Sequence, residues 1–105
     1  MTRKKTAYYI YYQKKESALY FDVREHISPS YISKTHAPIG IIRAYGLEHV
    51  FYLMNIEHWI FSKGIKKLTA NLVNHSSMSI NDVIYDETDE RWYQVMPVGF
   101  KEITE

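Results

Sequence analysis

β-forming residues fill every position of Thr6–Gln13, TAYYIYYQ, and the Lys pairs on either side of the run act as polar gatekeepers; the stretch predicts a first strand. After a KKES turn, ALYFDVRE alternates Leu19, Phe21 and Val23 with Tyr20, Asp22 and Arg24, which predicts a second strand closing a hairpin. The next stretch, HISPSYISKTHAPIG, is punctuated by Pro29 and Pro38 and by serines. Each proline biases its predecessor away from helical torsions, so the segment reads as a cover for one edge or face of a sheet, anchored by Ile27, Tyr31 and Ile32. GIIRAY predicts a third strand with Ile41, Ile42 and Ala44 as its apolar part.

At Leu47 the period changes. Leu47, Val50, Phe51 and Met54 fall at i, i+3, i+4 and i+7, an apolar stripe at helical spacing, with Glu48 in the first turn where the helix dipole favours an anion. NIEHWIFSKG extends this helix or starts another, with Gly64 as a stop, while IKKLTANLVNHSS is ambiguous between a basic helix and an extended arm. SINDVIYD and RWYQVMPVGF then read as an antiparallel pair about the polar DETDE connection. Pro97 and Gly99 suit an edge strand, a bulge or a sharp exit. The whole predicts one domain over 1–105: α+β, a small antiparallel sheet with one or two short helices packed on one face.

Composition supports a folded chain, with 46% hydrophobic residues and ten tyrosines. Cysteine is absent, which removes disulfides, thiolate metal sites and a cysteine nucleophile and fits a cytoplasmic location. The apolar run near the N-terminus, AYYIYY, is too short for a signal sequence or a membrane span. Charge is unevenly placed: residues 1–81 carry eleven basic and five acidic side chains, residues 82–105 two and seven. The two ends can steer an acidic partner or neutralise one another on folding.

Chemistry-bearing patterns are weak. His26, His36, His49, His58 and His75 fall in different predicted elements without metal-ligand spacing. Asp86, Glu87, Asp89 and Glu90 form a charged turn that water keeps ordinary, and Ser76, Ser77 or Ser79 with His75 and Asp82 lack a nucleophile elbow. The four glycines form no phosphate loop. The expectation is therefore no enzyme, no catalytic, metal or cofactor-binding residue, no small-molecule substrate and no membrane partner.

Two interaction readings remain. Tyr52, Trp59, Phe61, Trp92, Tyr93 and Met96 exceed what one small core needs, and their residue types are those enriched at interface centres, so they are candidate protein-binding residues. Lys4, Lys5, Lys14 and Lys15 bracket the tyrosine strand, and Lys63, Lys66 and Lys67 form a second cluster. With Tyr8, Tyr9, Tyr11 or Tyr12 on a sheet face, these lysines are candidate nucleic-acid-binding residues.

The most patterned stretch, SSMSINDVIYDETDERWYQVMPVGFKEI, has a folding account of its own. Met78, Ile80, Val83 and Ile84 anchor it, Asn81 and Asp82 bond nearby backbone N–H groups, and Gly99 takes torsions that direct Phe100 to the core. The same stretch resembles the C-terminal signature of the YodL-like domain. Ser77, Met78, Ser79, Ile80, Asp82, Val83 and Ile84 match its first part and Tyr93, Gly99, Phe100 and Glu102 its second. Asn81 stands where glycine is usual, and Gln94-Val95-Met96-Pro97 replaces a Cys-Asp-Ser run. YYIYYQ and LEHVFYLMN resemble the family's opening strand and short helix. The resemblance implies a small protein of a plasmid, integrative element or phage and carries no reaction. The functional expectation is a non-enzymatic accessory or anti-defence protein, an inhibitor that binds a host or defence protein. The alternative is a DNA-binding or other nucleic-acid-binding regulatory domain. A homodimer is compatible with both, because a core of this size leaves much surface uncovered.

Overall fold

A computed structural model describes residues 4–14, 27–55 and 78–105 of the chain. The first strand, β1 (Thr6–Gln13), matches the predicted boundaries. A 3₁₀ turn (Pro29–Tyr31), a one-turn helix α1 (Ile32–Thr35) and strand β2 (His36–Ala44) follow. Helix α2 (Leu47–Asn55) precedes three strands: β3 (Val83–Asp86), β4 (Arg91–Val95) and β5 (Phe100–Ile103). The strands form one five-stranded sheet in the order β2-β1-β3-β4-β5, every neighbouring pair antiparallel. The fold is thus the expected small α+β domain, with two short helices against an antiparallel sheet.

Strand register assigns side chains to faces. Tyr8, Ile10 and Tyr12 point to one face, where they form the main core with Ile39, Ala44, Ile84, Val95 and, from α2, Val50 and Met54. Tyr9 and Tyr11 point to the other face. There a smaller cluster of Ile27, Ile32, Val83 and Ile103 packs with Tyr11 and Trp92, so Ile32 of α1 belongs to this side.

Several expectations are corrected in detail. The third strand begins at His36 and runs through Pro38. A sheet interior would reject that proline, but β2 lies at the edge among the described strands, and its register slips between Ile10 and Tyr11 so that Ile39 is an extra residue. Tyr31 is 57% exposed and anchors nothing, whereas Ile27 and Ile32 are buried as expected. Phe51, read as part of the core stripe of α2, is 38% exposed; the buried positions of α2 are Val50 and Met54, with Leu47 and Leu53 packed beside the core. Pro97–Gly99 connects β4 to β5, closed by the Met96 N–H donating to the Gly99 carbonyl at 3.0 Å with Gly99 at φ +72°. The second predicted strand, residues 18–25, and the extension after Asn55 lie outside the described residues.

Candidate interaction surface

The SINDV segment turns the chain into β3 through a buried polar corner. Asn81 takes φ 77°, the left-handed torsion that asparagine tolerates better than most residues, where the resembled family uses glycine. Asp82 has no exposed surface. One of its carboxylate oxygens accepts the Gln13 backbone N–H at 2.8 Å and the other the Ser79 N–H at 2.7 Å, tying two chain segments to one charge. Burial first, and the Asp82 charge second, push the Tyr12 phenol upward, so it stays protonated.

His36, also without exposed surface, completes the corner from the edge strand. Its Nε2 lies 2.7 Å from the Asn81 carbonyl oxygen, which can only accept, so the proton sits on Nε2. Nδ1 then accepts the Thr35 hydroxyl at 2.7 Å. Burial lowers the His36 pKa, with Lys14 acting the same way and the Asn81 bond and Asp82 charge opposing. Gln94 Nε2 donates to Asn81 Oδ1 at 2.8 Å, and Gln94 Oε1 and Gln13 Nε2 are buried without a partner among the described residues. Asp82 and His36 therefore share a corner, but both carboxylate oxygens hold backbone N–H groups and both ring nitrogens are bonded. That arrangement shapes the chain, and His36 also borders a cleft that it shares with Tyr11, Lys14 and Trp92. No cluster of three potential ligands is placed to hold a metal among the described residues.

The predicted interaction residues do not converge on one patch. Trp92 and Tyr93 are neighbours on β4 and so face opposite ways. Tyr52 is 61% exposed on α2, and Met96 sits in the β4–β5 turn; Trp59 and Phe61 lie outside the described residues. Lys4 and Lys5 precede β1 and Lys14 follows it, which places them about 27 Å apart at the rise of an eight-residue strand. Lys14 Nζ donates to the Ser33 carbonyl at 2.8 Å. Lys15, Lys63, Lys66 and Lys67 lie outside the described residues. Tyr8 and Tyr12 are core residues, leaving Tyr9 and Tyr11 on the opposite face.

A different set of side chains does converge. Between α2 and the β4–β5 turn lies a groove of about 240 Å³, whose walls include Phe51, Met96, Pro97 and Phe100. It continues past Glu48 and Phe100 into a wider hollow of about 630 Å³ lined by Tyr45, Leu47 and His49. Phe51 and Phe100 meet edge to face at 6.3 Å, and Tyr45 stacks on His49 at 5.2 Å while its N–H donates to His49 Nδ1 at 3.0 Å. Val98, at the tip of the turn, is 92% exposed. The groove and hollow are thus lined mostly by apolar and aromatic side chains, with Glu48 as the carboxylate common to both. Tyr52 and Met96 were legible as interface residue types; Phe51, Phe100 and Val98 were not, having been assigned to the core or to a turn.

On the other face, a cleft of about 420 Å³ runs between Tyr11 and Trp92 on one side and Ile32, Ser33 and Lys14 on the other. Comparison with known proteins finds no matching family model, curated protein or solved structure. No helix among the described residues is long and apolar enough to cross a membrane.

Proposed function

We propose that this chain is a non-enzymatic, YodL-like accessory protein of a phage or mobile element, working in the cytoplasm by binding a host or defence protein. The groove between α2 and the β4–β5 turn is its docking site. The carrying observation is the gathering of Phe51, Met96, Pro97 and Phe100, side chains with much apolar surface, around one concavity, with exposed Val98 in the same β4–β5 turn and exposed Tyr52 on the same helix α2. A partner that seats an apolar anchor against Phe51 and Phe100 and sets a basic side chain toward Glu48 matches this lining in shape and charge. Stable binding buries about 1,200 Å² or more in total, so the rim around the groove takes part.

Pull-down from host lysate at near-physiological salt tests the proposal. A specific protein is expected with the wild type, lost with Phe51→Glu and with Val98→Glu, and retained with Arg43→Glu on the opposite face. Recovery of nothing specific, or capture indifferent to both groove variants, would overturn it.

A further inference from the structure

On the face away from α2, one transverse row of side chains crosses all five strands. Ile41 pairs with Tyr9, Tyr9 with Tyr85, Tyr85 with Trp92, and Trp92 with Ile103. The rings touch along the row: Tyr9 and Tyr85 edge on at 5.8 Å, Tyr85 and Trp92 tilted at 4.7 Å. One end is closed, because Ile103 is 2% exposed within the Ile27 and Ile32 cluster; the other is open, with Ile41 64% exposed.

The next row on the same face carries charge. Arg43 pairs with Ala7 from the β2 side, and the Ala7 carbonyl accepts the Glu87 N–H at 3.3 Å from the β3 side. Arg43 and Glu87, both exposed, therefore flank Ala7 with opposite signs. The Tyr85 phenol is pushed up by desolvation and then by Glu90 and Glu87, which puts those carboxylates near the aromatic row. Lys5 holds its ammonium 5.3 Å from the centre of the Tyr45 ring, and Arg43 Nη2 donates to the Lys5 carbonyl at 3.3 Å, one of the five N–H groups of an exposed guanidinium.

We propose that a second copy of this chain docks on this face, the two sheets packing face to face about a two-fold axis running along β1. Such an axis exchanges the two sides of β1. It sets Arg43 over Glu87 of the second copy, and the reverse contact follows by symmetry. In the same operation Ile41 covers Tyr85 of the second copy and Tyr9 meets its own counterpart. The pattern of plus, neutral and minus across β2, β1 and β3 is thus self-complementary, and the bare end of the aromatic row gains its cover. Three strands about 4.8 Å apart give a footprint well below the roughly 800 Å² per partner of a standard interface, so the dimer belongs to the transient class. Its Kd is on the order of 100 µM.

Sedimentation equilibrium up to about 1 mM protein reads this directly, since that range brackets a transient dimer. The wild type is expected to approach dimer mass, and Arg43→Glu and Glu87→Arg each to weaken association at least about tenfold, as like-charge juxtaposition does. An equimolar mixture of the two variants is expected to associate again, because both cross-contacts then pair Glu with Arg. That recovery also shows that the variants are folded. Phe51→Glu, which tests the groove, is expected to leave self-association unchanged. A monomeric wild type at the highest concentration, or a mixture that stays monomeric, would overturn the proposal. So would salt-sensitive binding of a single-stranded oligonucleotide through Tyr9 and Tyr85 in place of self-association.

Discussion

The corner at Asn81 and the groove at Phe51 are opposites in chemistry and in exposure. In the corner, Asp82, His36 and Gln94 have no exposed surface; the Asp82 carboxylate holds backbone N–H groups, His36 bonds the Asn81 carbonyl and the Thr35 hydroxyl, and Gln94 Nε2 bonds the Asn81 side chain. In the groove, apolar side chains stand partly bare while the backbone around them is ordinary turn and helix. The difference teaches that conspicuous polar spacing in a short chain can serve the fold alone, because a buried carboxylate taking two N–H groups shapes a loop more firmly than any apolar contact there. The groove, by contrast, is built from side chains whose spacing resembles a core.

Breaking the corner produces the largest expected effect. Asp82→Ala leaves the Gln13 and Ser79 N–H groups without their acceptor, and urea unfolding is expected to show a loss of about 3 to 4 kcal/mol. A loss under about 1 kcal/mol would mean that the carboxylate does not organise the loop. Asn81→Gly sharpens the point, since it restores the residue usual in the resembled family. Glycine relieves up to about 1 kcal/mol of left-handed torsion but deprives Gln94 Nε2 of its acceptor, so a net loss of about 1 kcal/mol is expected. Adding Gln94→Met is expected to recover it, because both polar partners are then gone.

A gentler effect is a pH slope. The His36 pKa lies below its unfolded value of about 6.5, so between those two values the unfolded chain binds more protons than the folded one. Stability from this group is full above the unfolded pKa and falls as pH drops through the window toward the folded pKa. Chemical denaturation across pH 5 to 7, a span chosen about the reference value, is expected to show a slope in the wild type that His36→Gln flattens. Equal slopes would place the histidine outside the linkage. The smallest stability change belongs to the groove: Val98→Glu, at a 92% exposed site, is expected to shift unfolding by less than about 0.5 kcal/mol. A larger loss would show that the turn tip is part of the core.

Legibility followed the range of the deciding interaction. β1 was readable in its own eight residues, and α2 began where the 3.6-residue period began. The bond of Asp82 to a nearby backbone N–H was readable because it closes within three residues, whereas the Asn81 side chain, expected to do the same, holds Gln94 Nε2 from the neighbouring strand. The strand through Pro38 was not, since only its place at the sheet edge, a property of the assembled sheet, makes the proline acceptable. Phe51 lies next to Val50 on the helix surface, and periodicity alone cannot say which of the two faces the sheet. His36 looked like any scattered histidine because its partner, the Asn81 carbonyl, is 45 residues away in sequence. β5 was hidden by the punctuation that creates it: Pro97 and Gly99 were read as interrupting one strand when they end it and start another.

The central position of β1 bears on how the molecule is made. This tyrosine-rich strand precedes the other described strands in the chain, yet one of its flanks is completed by β3, and the bond from Gln13 to Asp82 spans 69 residues. The meander of β3, β4 and β5 pairs strands adjacent in sequence, whereas joining β1 to β3 brings together distant segments and is the slower contact to close. Lys4, Lys5 and Lys14 place charge just outside that strand, a feature that disfavours pairing with a second chain while an edge is open.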